Sequence, residues 1–414
     1  MVRLTDIIKE LPEMKSGDEL RKEFAVIPEY DNKVCEYGAA TRLMALSDLY
    51  AVYVPSGMSE EIYSKLYLAL IRSLQKKSTK VAIRQQNQNF RAIQGLEYGG
   101  IIGGSDSFSI IGCSGIGKSS AINRAISIIT ENKIIEVEET QSKIIPCLIV
   151  QCPFDCSVKS LLLEILRKVD ELIGSKYYEN AIRARSTTDL LIGNVSQVAL
   201  NHIGLLIVDE IQNVCNSRNG KNLIGSLTQL INSSGISICM VGTPESAVFF
   251  ESAMQLARRS LGLQYKAMEF DENFINVCKM LYSYQYTKNP SEITDSVIEW
   301  IYEHSSGIIS VVVNLLHDAQ EIAILSGKEE LNLETLNEAY QKRLSLLHDY
   351  IEPTIQRRKQ TTQKKKSTAA LPEIQTESLD NRNLIADTVK KSKKENKDIV
   401  ELLKEHIQIV EVRA

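Results

Sequence analysis

The segment Phe108-Ser-Ile-Ile-Gly-Cys-Ser-Gly-Ile-Gly-Lys-Ser-Ser120 places a Gly-x4-Gly-Lys-Ser motif between a short apolar run and a helical pattern. The apolar run predicts a buried strand. Glycines in the loop that follows allow backbone N–H groups to turn inward around phosphate oxygens. The N-terminus of the next helix adds a favourable field for anions. The sequence therefore predicts that this chain binds a nucleoside triphosphate.

The motif also assigns roles to individual side chains. We expect Lys118 to reach the β- and γ-phosphates and the Ser119 hydroxyl to ligate Mg²⁺. The residues expected to contact the nucleotide are Gly112, Cys113, Ser114, Gly115, Ile116, Gly117, Lys118, Ser119, Ser120 and Asp209.

The composition is that of a soluble globular protein. A chain of 414 residues allows two or three domains, and 43% hydrophobic with 24% charged residues is an ordinary balance. The formal charge of −4 neither favours nor excludes nucleic acid.

We find no apolar run of membrane-span length and no signal-peptide core, so we expect a cytoplasmic protein with no membrane partner. The eight cysteines are expected to be buried thiols, since nothing completes a zinc site around Cys147, Cys152 and Cys156.

An α/β alternation follows the motif within a predicted nucleotide-binding domain, residues 96–271. Five apolar runs predict strands at Phe108–Ile111, Ile144–Gln151, Leu205–Val208, Ile236–Val241 and Tyr265–Phe270. Helical patterns begin at Lys118, Val158, Thr188, Asn222 and Ser246. Near-continuous apolar strands separated by helices indicate a parallel sheet covered on both faces. The fold class predicted is thus α/β.

Helices replace strands in the next predicted domain, residues 272–350. Their patterns span Phe274–Tyr284, Ile293–His304, Ser310–Leu325 and Leu333–His348. We interpret this part as a small helical domain.

The two ends of the chain have other characters. Residues 1–95 form a predicted N-terminal extension with a helix after Ser59; partner docking and packing against the core domain are both open. Residues 80–106 contain glycine pairs suited to the edge of a nucleotide pocket. Residues 351–414 are a predicted flexible basic tail, ending in a short helix at Asp398–Val410. From Pro353 the tail has 14 Lys or Arg against 9 Asp or Glu. This charge suits nucleic acid or a protein partner, and a solvated tail without a target is the alternative.

A second motif, Leu205-Leu-Ile-Val-Asp209-Glu210, is an apolar strand that ends in two carboxylates. At the carboxyl edge of a parallel sheet, Asp209 is expected beside the Mg²⁺ ion opposite Ser119. Glu210 is then expected to orient or deprotonate the attacking water. This adjacent pair is typical of hydrolytic ATPases of the additional-strand class and not of switch GTPases or nucleoside kinases.

Two further positions complete the predicted catalytic set. Thr243, at the end of the next strand, can hydrogen-bond the water or the γ-phosphate; a turn-forming Thr before Pro244 is the alternative. Either Arg258 or Arg259 is expected to reach the nucleotide of a neighbouring subunit and stabilise transition-state charge. Surface arginines without a catalytic role remain the alternative.

These motifs resemble those of the AAA+ ATPases, and among them the transposition regulators of the TnsC/TniB type. The resemblance rests on the phosphate loop, on Leu206–Asn213, Val241–Glu245 and Leu256–Arg259, and on Ser306–Asn314 as a lid helix. It covers about residues 95–345. It implies an AAA+ fold with a five-stranded parallel core sheet and a helical lid. It further implies an ATP- and Mg²⁺-dependent ATPase that assembles with itself as a ring or helical filament on duplex DNA.

The resemblance also implies partners, and the sequence departs from the family pattern at one position. Such a regulator links a target-site selector, expected at the N-terminal or lid region, to a transposase, expected at the tail, and hydrolysis resets the assembly. Candidate contacts to DNA phosphates are Lys159, Arg183 and Arg185, with solvated helix faces as the alternative. Many AAA+ lids carry an Arg shortly after a Gly, but Ile308, Ile309 and Ser310 follow Gly307 here. We therefore expect weaker lid closure and greater reliance on the neighbouring subunit.

Two other functions are open. One is a nucleotide-gated scaffold in which ATP drives assembly and hydrolysis is incidental. The other is a replication initiator or clamp-loader-like ATPase, although no winged-helix domain is recognisable after the lid.

Overall fold

We describe a computed structural model of the chain. It describes residues 8–77, 107–137, 142–213, 220–246 and 262–344. Met1–Thr354 form one compact unit and Ile355–Ala414 a second, and all described residues belong to the first.

The strands are β1 (Phe108–Gly112), β2 (Ile135–Val137), β3 (Ser142–Gln151), β4 (Ile203–Asp209), β5 (Ser237–Gly242) and β6 (Leu263–Tyr265). The helices before and within the sheet region are α1 (Gly17–Phe24), α2 (Ala39–Ala45), α3 (Asp48–Ala51), α4 (Gly57–Lys77), α5 (Lys118–Thr130), α6 (Val158–Ile173), α7 (Tyr177–Arg183), α8 (Thr188–His202) and α9 (Gly220–Ser234). The helices after the sheet are α10 (Glu272–Tyr282), α11 (Asp295–Ser305), α12 (Ile309–Ser326) and α13 (Leu333–Arg343).

One sheet organises the first unit, with strand order β2-β3-β4-β5-β1-β6. The five strands from β3 to β6 in this order are parallel, which confirms the predicted α/β class and parallel core. β1, β4 and β5 are buried almost throughout, as a sheet covered on both faces requires. The order places the end of β5 between the loop after β1 and the end of β4.

Three elements of the structure differ from the prediction. The fifth strand is Leu263–Tyr265 and not Tyr265–Phe270, because the chain leaves the sheet and the Met268 N–H donates to the carbonyl of Gly307 at 3.0 Å. The three-residue β2, antiparallel to β3, was not predicted; it is too short to show a periodic pattern. The short helix α7 was also missed. Apart from Ser246 itself, the helix predicted to begin there lies outside the described residues, as does the helix predicted at Asp398–Val410.

Helix α12 is an exception to the sequence-based expectation that no apolar run has the length of a membrane span. Its 18 residues are long and apolar enough to cross a membrane by composition. More than half of this helix is buried inside the protein, where Val312, Leu315 and Leu316 are almost fully enclosed. It is therefore the core helix of the group α10 to α13, which we call the lid, and this burial explains its apolar sequence.

The N-terminal residues pack onto both the sheet and the lid. Leu20 and Phe24 of α1 and Leu66 of α4 belong to a core cluster under the sheet with Phe108. Leu46 and Leu49 belong instead to the core cluster of the lid. The described part of this region therefore packs against the rest of the protein, and partner docking through its outer surface stays a prediction.

Candidate functional site

The loop between β1 and α5 has the backbone that phosphate binding needs. Gly115 and Gly117 adopt φ values of +82° and +95°, which favour glycine strongly. A Cβ atom on Gly112 would lie 2.6 Å from Ile116 Cδ1 and 2.8 Å from the Tyr265 carbonyl oxygen. The glycines are therefore required by backbone conformation and by close packing, and the loop opens directly into the N-terminus of α5.

Lys118 folds back over this loop. Its Nζ donates to the carbonyl oxygens of Gly112 at 2.6 Å and Cys113 at 2.8 Å. Burial lowers the pKa of Lys118 below its ordinary value of 10.5, and the nearby Asp209 carboxylate partly opposes that shift. The ammonium group is thus held at the loop and poorly solvated, so anionic oxygens in the loop would compete well for it.

Ser119 and Asp209 meet across two elements. The Ser119 hydroxyl, in the first turn of α5, donates to Asp209 Oδ2 at the end of β4 over 3.2 Å. A hydroxyl and a carboxylate brought this close supply the hard oxygen ligands that Mg²⁺ prefers. These two residues fit a magnesium ion, and the predicted pairing is present in the fold.

Glu210 sits in a constrained turn immediately after β4. Its φ is +57°, an uncommon conformation for a residue other than glycine. Its N–H donates to Asp209 Oδ1 at 2.8 Å, and the Ile211 N–H donates to the Val241 carbonyl at 3.0 Å. The Gln212 amide also donates to the Glu210 carboxylate. The turn and its bonds hold this carboxylate beside the loop.

Thr243 follows β5, between the phosphate loop and Asp209. Its hydroxyl bonds the Glu245 carboxylate, which lowers the pKa of Glu245. The position agrees with the one predicted for a residue that contacts the γ-phosphate. In this structure, however, its hydroxyl is already engaged by a neighbouring acid.

A cavity of about 240 Å³ joins these residues. Its predicted lining residues are Ser114, Gly115, Gly117, Lys118, Ser119, Ser120, Asp209, Glu210 and Thr243. Sequence reasoning missed Gln212, Gly242 and Ser310. Gln212 lies two residues after Glu210, and Gly242 lies one residue before Thr243. Their closeness in sequence to these predicted residues was the only signal that they line the cavity. Ser310 is distant in sequence and reaches the cavity from the lid.

The lid contacts the phosphate loop directly. The Ser310 N–H, in the first turn of α12, donates to the Gly115 carbonyl at 3.1 Å. A Cβ atom on Gly115 would lie only 2.2 Å from Ser310 Oγ. Close by, a Cβ on Gly307 would lie 2.0 Å from the Met268 carbonyl oxygen. Where many lids carry an arginine, this lid approaches the loop with a small side chain and its backbone.

A larger cavity of about 670 Å³ adjoins the phosphate loop. Apolar side chains from three regions line it: Val52, Val54, Pro55 and Met58 before and in α4, Ile116 in the loop, and Val277, Leu281, Ile309 and Val313 in the lid. Asn273, Asn276 and Asn314 add polar groups. An apolar cleft with a few amides beside a phosphate site suits a purine base.

Sequence reasoning did not assign this cavity. It placed the pocket edge at residues 80–106, which lie outside the described residues. The segment Tyr53–Ser59 has the pattern of a turn, which gives no sign of a cavity wall. The one available signal was the apolar character of Val52 and Val54 on each side of Tyr53.

Of the remaining predicted site residues, Lys159, Arg183 and Arg185 do not line the cavity. Arg258 and Arg259 lie outside the described residues. Lys159 is exposed in the first turn of α6. Arg183 ends α7 and pairs with Glu179 at 3.4 Å. Arg185 is exposed with a φ of +48°.

The phosphate-loop region matches a known family. Residues 103–266 match the family model described as bacterial TniB protein. No curated protein matches the chain.

Similar solved structures include two Aeropyrum pernix proteins. The ORC1 protein in complex with DNA has a TM-score of 0.41 and 14% identity, covering 80% of this chain and 78% of that one. The ORC2 protein in its ADP form has a TM-score of 0.38 and 16% identity, covering 64% and 67%. A closed-state structure of Hsp104 with ATPγS and casein has a TM-score of 0.34 and 15% identity. The match covers 80% of this chain and 52% of that chain.

Proposed function

We propose that this chain, an AAA+ protein of the TniB type, binds ATP with Mg²⁺ and hydrolyses it to control an assembly on duplex DNA. One observation carries the enzymatic part of the proposal. The phosphate loop, the Ser119–Asp209 pair, Glu210 and Thr243 come from three neighbouring strand ends and face one cavity.

Each residue has a role in this reaction. Lys118 exchanges its bonds to the loop carbonyls for bonds to the β- and γ-phosphates. Ser119 and Asp209 would hold Mg²⁺, which offsets phosphate charge when bound. Glu210 orients the attacking water and accepts its proton. Thr243 turns its hydroxyl from Glu245 toward the water or the γ-phosphate.

The assembly is a second part of the proposal. Arg258 or Arg259 would act on the nucleotide of a neighbouring copy, so that self-assembly completes the site. The two domains would divide the work, with residues 96–271 binding nucleotide and residues 272–350 forming the lid. The lid contacts the phosphate loop through Ser310, which has no charged side chain to offer the γ-phosphate. This supports the proposal that the nucleotide site depends on an arginine of the neighbouring subunit.

The last part of the proposal concerns DNA and transposition. The protein would act on DNA in the bacterial cytoplasm. Lys159, Arg183 and Arg185 would contact DNA phosphates without reading sequence. The basic tail, residues 351–414, would dock the transposase. The outer surface of the N-terminal region or the lid would dock the target selector. The match of residues 103–266 to the TniB family supports this assignment.

Glu210→Gln, compared with wild type, tests whether hydrolysis resets the assembly. We expect the variant to bind ATP and assemble on duplex DNA, with hydrolysis slowed at least about 10²-fold because the general base is gone. It should stay on DNA after free ATP is removed, whereas wild type dissociates. Lys118→Ala, which should bind ATP far more weakly and so should not assemble at the same ATP concentration, is the control.

The outcomes separate the proposed function from the nucleotide-gated scaffold. Absence of any ATP-dependent ordered assembly on duplex DNA, seen by electron microscopy, would reject the proposal. Equal rates of DNA release by Glu210→Gln and wild type would favour the nucleotide-gated scaffold with incidental hydrolysis.

Substitution of the three basic residues tests the DNA surface. Changing Lys159, Arg183 and Arg185 to Gln should weaken binding to all duplex sequences alike. The slope of log affinity against log salt should fall by about 0.9 for each phosphate that the protein no longer neutralises. Lys133→Gln is the matched control, because this exposed lysine lies just before β2, at the amino edge of the sheet. An unchanged salt slope would exclude this surface.

A further inference from the structure

The N-terminal region crosses from the sheet to the lid and back. We call residues 25–56 the strap. Phe24, just before it, is fully buried under the sheet, and Ile62, just after it, is buried there too. Between them, Leu46 and Leu49 are buried in the core of the lid. A single short segment is therefore anchored in both bodies.

Arg42 in α2 makes a buried polar contact between the strap and the lid. Its side chain is 1% exposed. Its two terminal nitrogens donate to Glu329 Oε2 at 2.6 Å and Oε1 at 2.7 Å, in a bidentate pair. It also donates to the carbonyls of Tyr286 at 2.8 Å and Tyr37 at 3.0 Å. Glu329 lies in the loop between α12 and α13, so the guanidinium ties α2 to two parts of the lid.

Other bonds support this attachment. The Tyr284 hydroxyl donates to the Pro28 carbonyl at 2.8 Å, and the Tyr286 hydroxyl donates to Asp48 Oδ2 at 3.0 Å. The pair with Arg42 lowers the pKa of Glu329, which keeps this carboxyl ionised. The lid side of the strap is therefore held at several points, with Arg42 at their centre.

The strap is attached to the sheet side at Tyr53. Val26 and Tyr53 exchange backbone bonds of 3.0 and 2.9 Å where the strap's two crossings meet. The Tyr53 hydroxyl lies 2.8 Å from Ser59 Oγ, and the Arg124 guanidinium lies 5.4 Å from the centre of its ring. Only three residues separate Leu49, in the lid core, from Tyr53.

The larger cavity lies at this crossing. Strap residues from Tyr50 to Ser56 line one side, and lid residues including Val277 and Ile309 line another. The phosphate loop forms its floor through Gly115 to Gly117. The shape of the cavity therefore depends on how firmly the strap is held to the lid.

We infer that Arg42 is a positioning residue for the nucleotide base, acting through its pair with Glu329 to hold the strap wall of the larger cavity against the lid. This inference rests on the proposed binding of ATP. Arg42 does not line the cavity, so it acts on the base through the strap and not by contact.

The inference predicts an effect confined to the base. The triphosphate would be held by the phosphate loop, Lys118 and Ser119. The bonds described for these residues do not involve the residues that attach the strap to the lid, which are Arg42, Glu329, Tyr284 and Tyr286. If loss of the pair leaves the wall in place in about one tenth of molecules, apparent ATP affinity falls about tenfold. A ligand without a base should lose almost nothing.

The experiment compares ATP with inorganic tripolyphosphate, both with Mg²⁺, by calorimetry on the full chain. The variants are Glu329→Gln, which keeps shape but removes the charge, and Arg42→Met, which also removes the donors. Lys328→Gln is the matched control, because this lysine lies next to Glu329 on the same loop and pairs at the surface with Glu334 and Glu338 of α13. Circular dichroism melts record whether each variant is folded, and Glu329→Gln carries the test if Arg42→Met does not fold.

The expected result is ATP affinity about tenfold weaker in the pair variants, with tripolyphosphate affinity within about twofold of wild type. Unchanged ATP affinity would overturn the inference. Equal losses for both ligands would overturn it too, because the pair would then support the whole fold. Failure of the wild-type chain to bind ATP or tripolyphosphate would instead reject the proposed function on which the inference rests.

Discussion

The backbone N–H of Ser310 donates to the carbonyl oxygen of Gly115 at 3.1 Å, so the first turn of lid helix α12 rests on the phosphate loop. A hydrogen bond between these two elements couples the loop's conformation to the position of the lid. Ser310 lines both the phosphate cavity and the larger one. The junction between lid and loop is therefore also the boundary between the two cavities.

Gly115→Ala should separate the lid from the loop. Its Cβ would lie 2.2 Å from Ser310 Oγ and 2.9 Å from Ile308 Cγ2, at a φ of +82°. We expect a lower melting temperature and a large decrease in ATP affinity, measured by thermal melts and calorimetry. Gly174→Ala controls for strain, because Gly174 has a φ of +72° with nothing within 4 Å; it should cost only about 1–2 kcal/mol. Adding Ser310→Gly to Gly115→Ala should restore part of the melting temperature, and no recovery would contradict the lid contact.

ATP binding should weaken as pH rises through the alkaline range below 10.5. Burial lowers the pKa of Lys118 in the unliganded protein, and phosphate oxygens favour its charged form, so binding takes up a proton there. The same shift acts oppositely on stability. The unfolded chain binds more protons in this range, so the Lys118 contribution to the unfolding free energy rises with pH.

Calorimetry in buffers of different ionisation enthalpy counts the protons taken up. Lys118→Met, which cannot titrate, should show none from this position. Proton uptake equal in wild type and Lys118→Met would assign the linkage to another group.

Thr243→Val should reduce hydrolysis more than binding. The substitution keeps the shape but removes the hydroxyl that we assign to the water or γ-phosphate, a loss on the order of 10²-fold in turnover for a transition-state donor. Thr243→Ser keeps a hydroxyl and should stay close to wild type. Steady-state phosphate release and ATP affinity are the two measurements. Equal activity of the Val and Ser variants would leave Thr243 as a turn residue, the alternative that the Thr-Pro sequence allows.

A pair of glycine substitutions tests the packing of the sheet. A Cβ on Gly204 would lie 2.4 Å from the Pro146 carbonyl oxygen and 2.5 Å from Leu70 Cδ1, so Gly204→Ala should destabilise by about 1–3 kcal/mol. Gly225 lies in α9 with nothing within 4 Å, so Gly225→Ala should stabilise by about 0.5–1 kcal/mol. Urea unfolding measures both. Similar effects of the two substitutions would show that α4 does not press on β4 as described.

The sequence by itself determined the α/β fold, the phosphate-loop motif and the acidic end of β4. Strands buried on both faces are continuously apolar, and the phosphate loop and the Asp209-Glu210 ending are local motifs beside those strands. Because parallel strands end at one edge, the meeting of Ser119 and Asp209 follows from local signals alone. Boundaries failed where a segment was short, as in β2, or left the sheet for the lid, as after Tyr265.

Only the tertiary structure decided how the N-terminal region relates to the nucleotide site. The Arg42–Glu329 pair spans 287 positions in the sequence, and the Ser310–Gly115 bond joins the lid to the loop. Neither has a local pattern, because a contact between distant segments depends on how separate cores dock. The larger cavity is formed between such segments, and so its walls depend on how the strap, the lid and the sheet pack together.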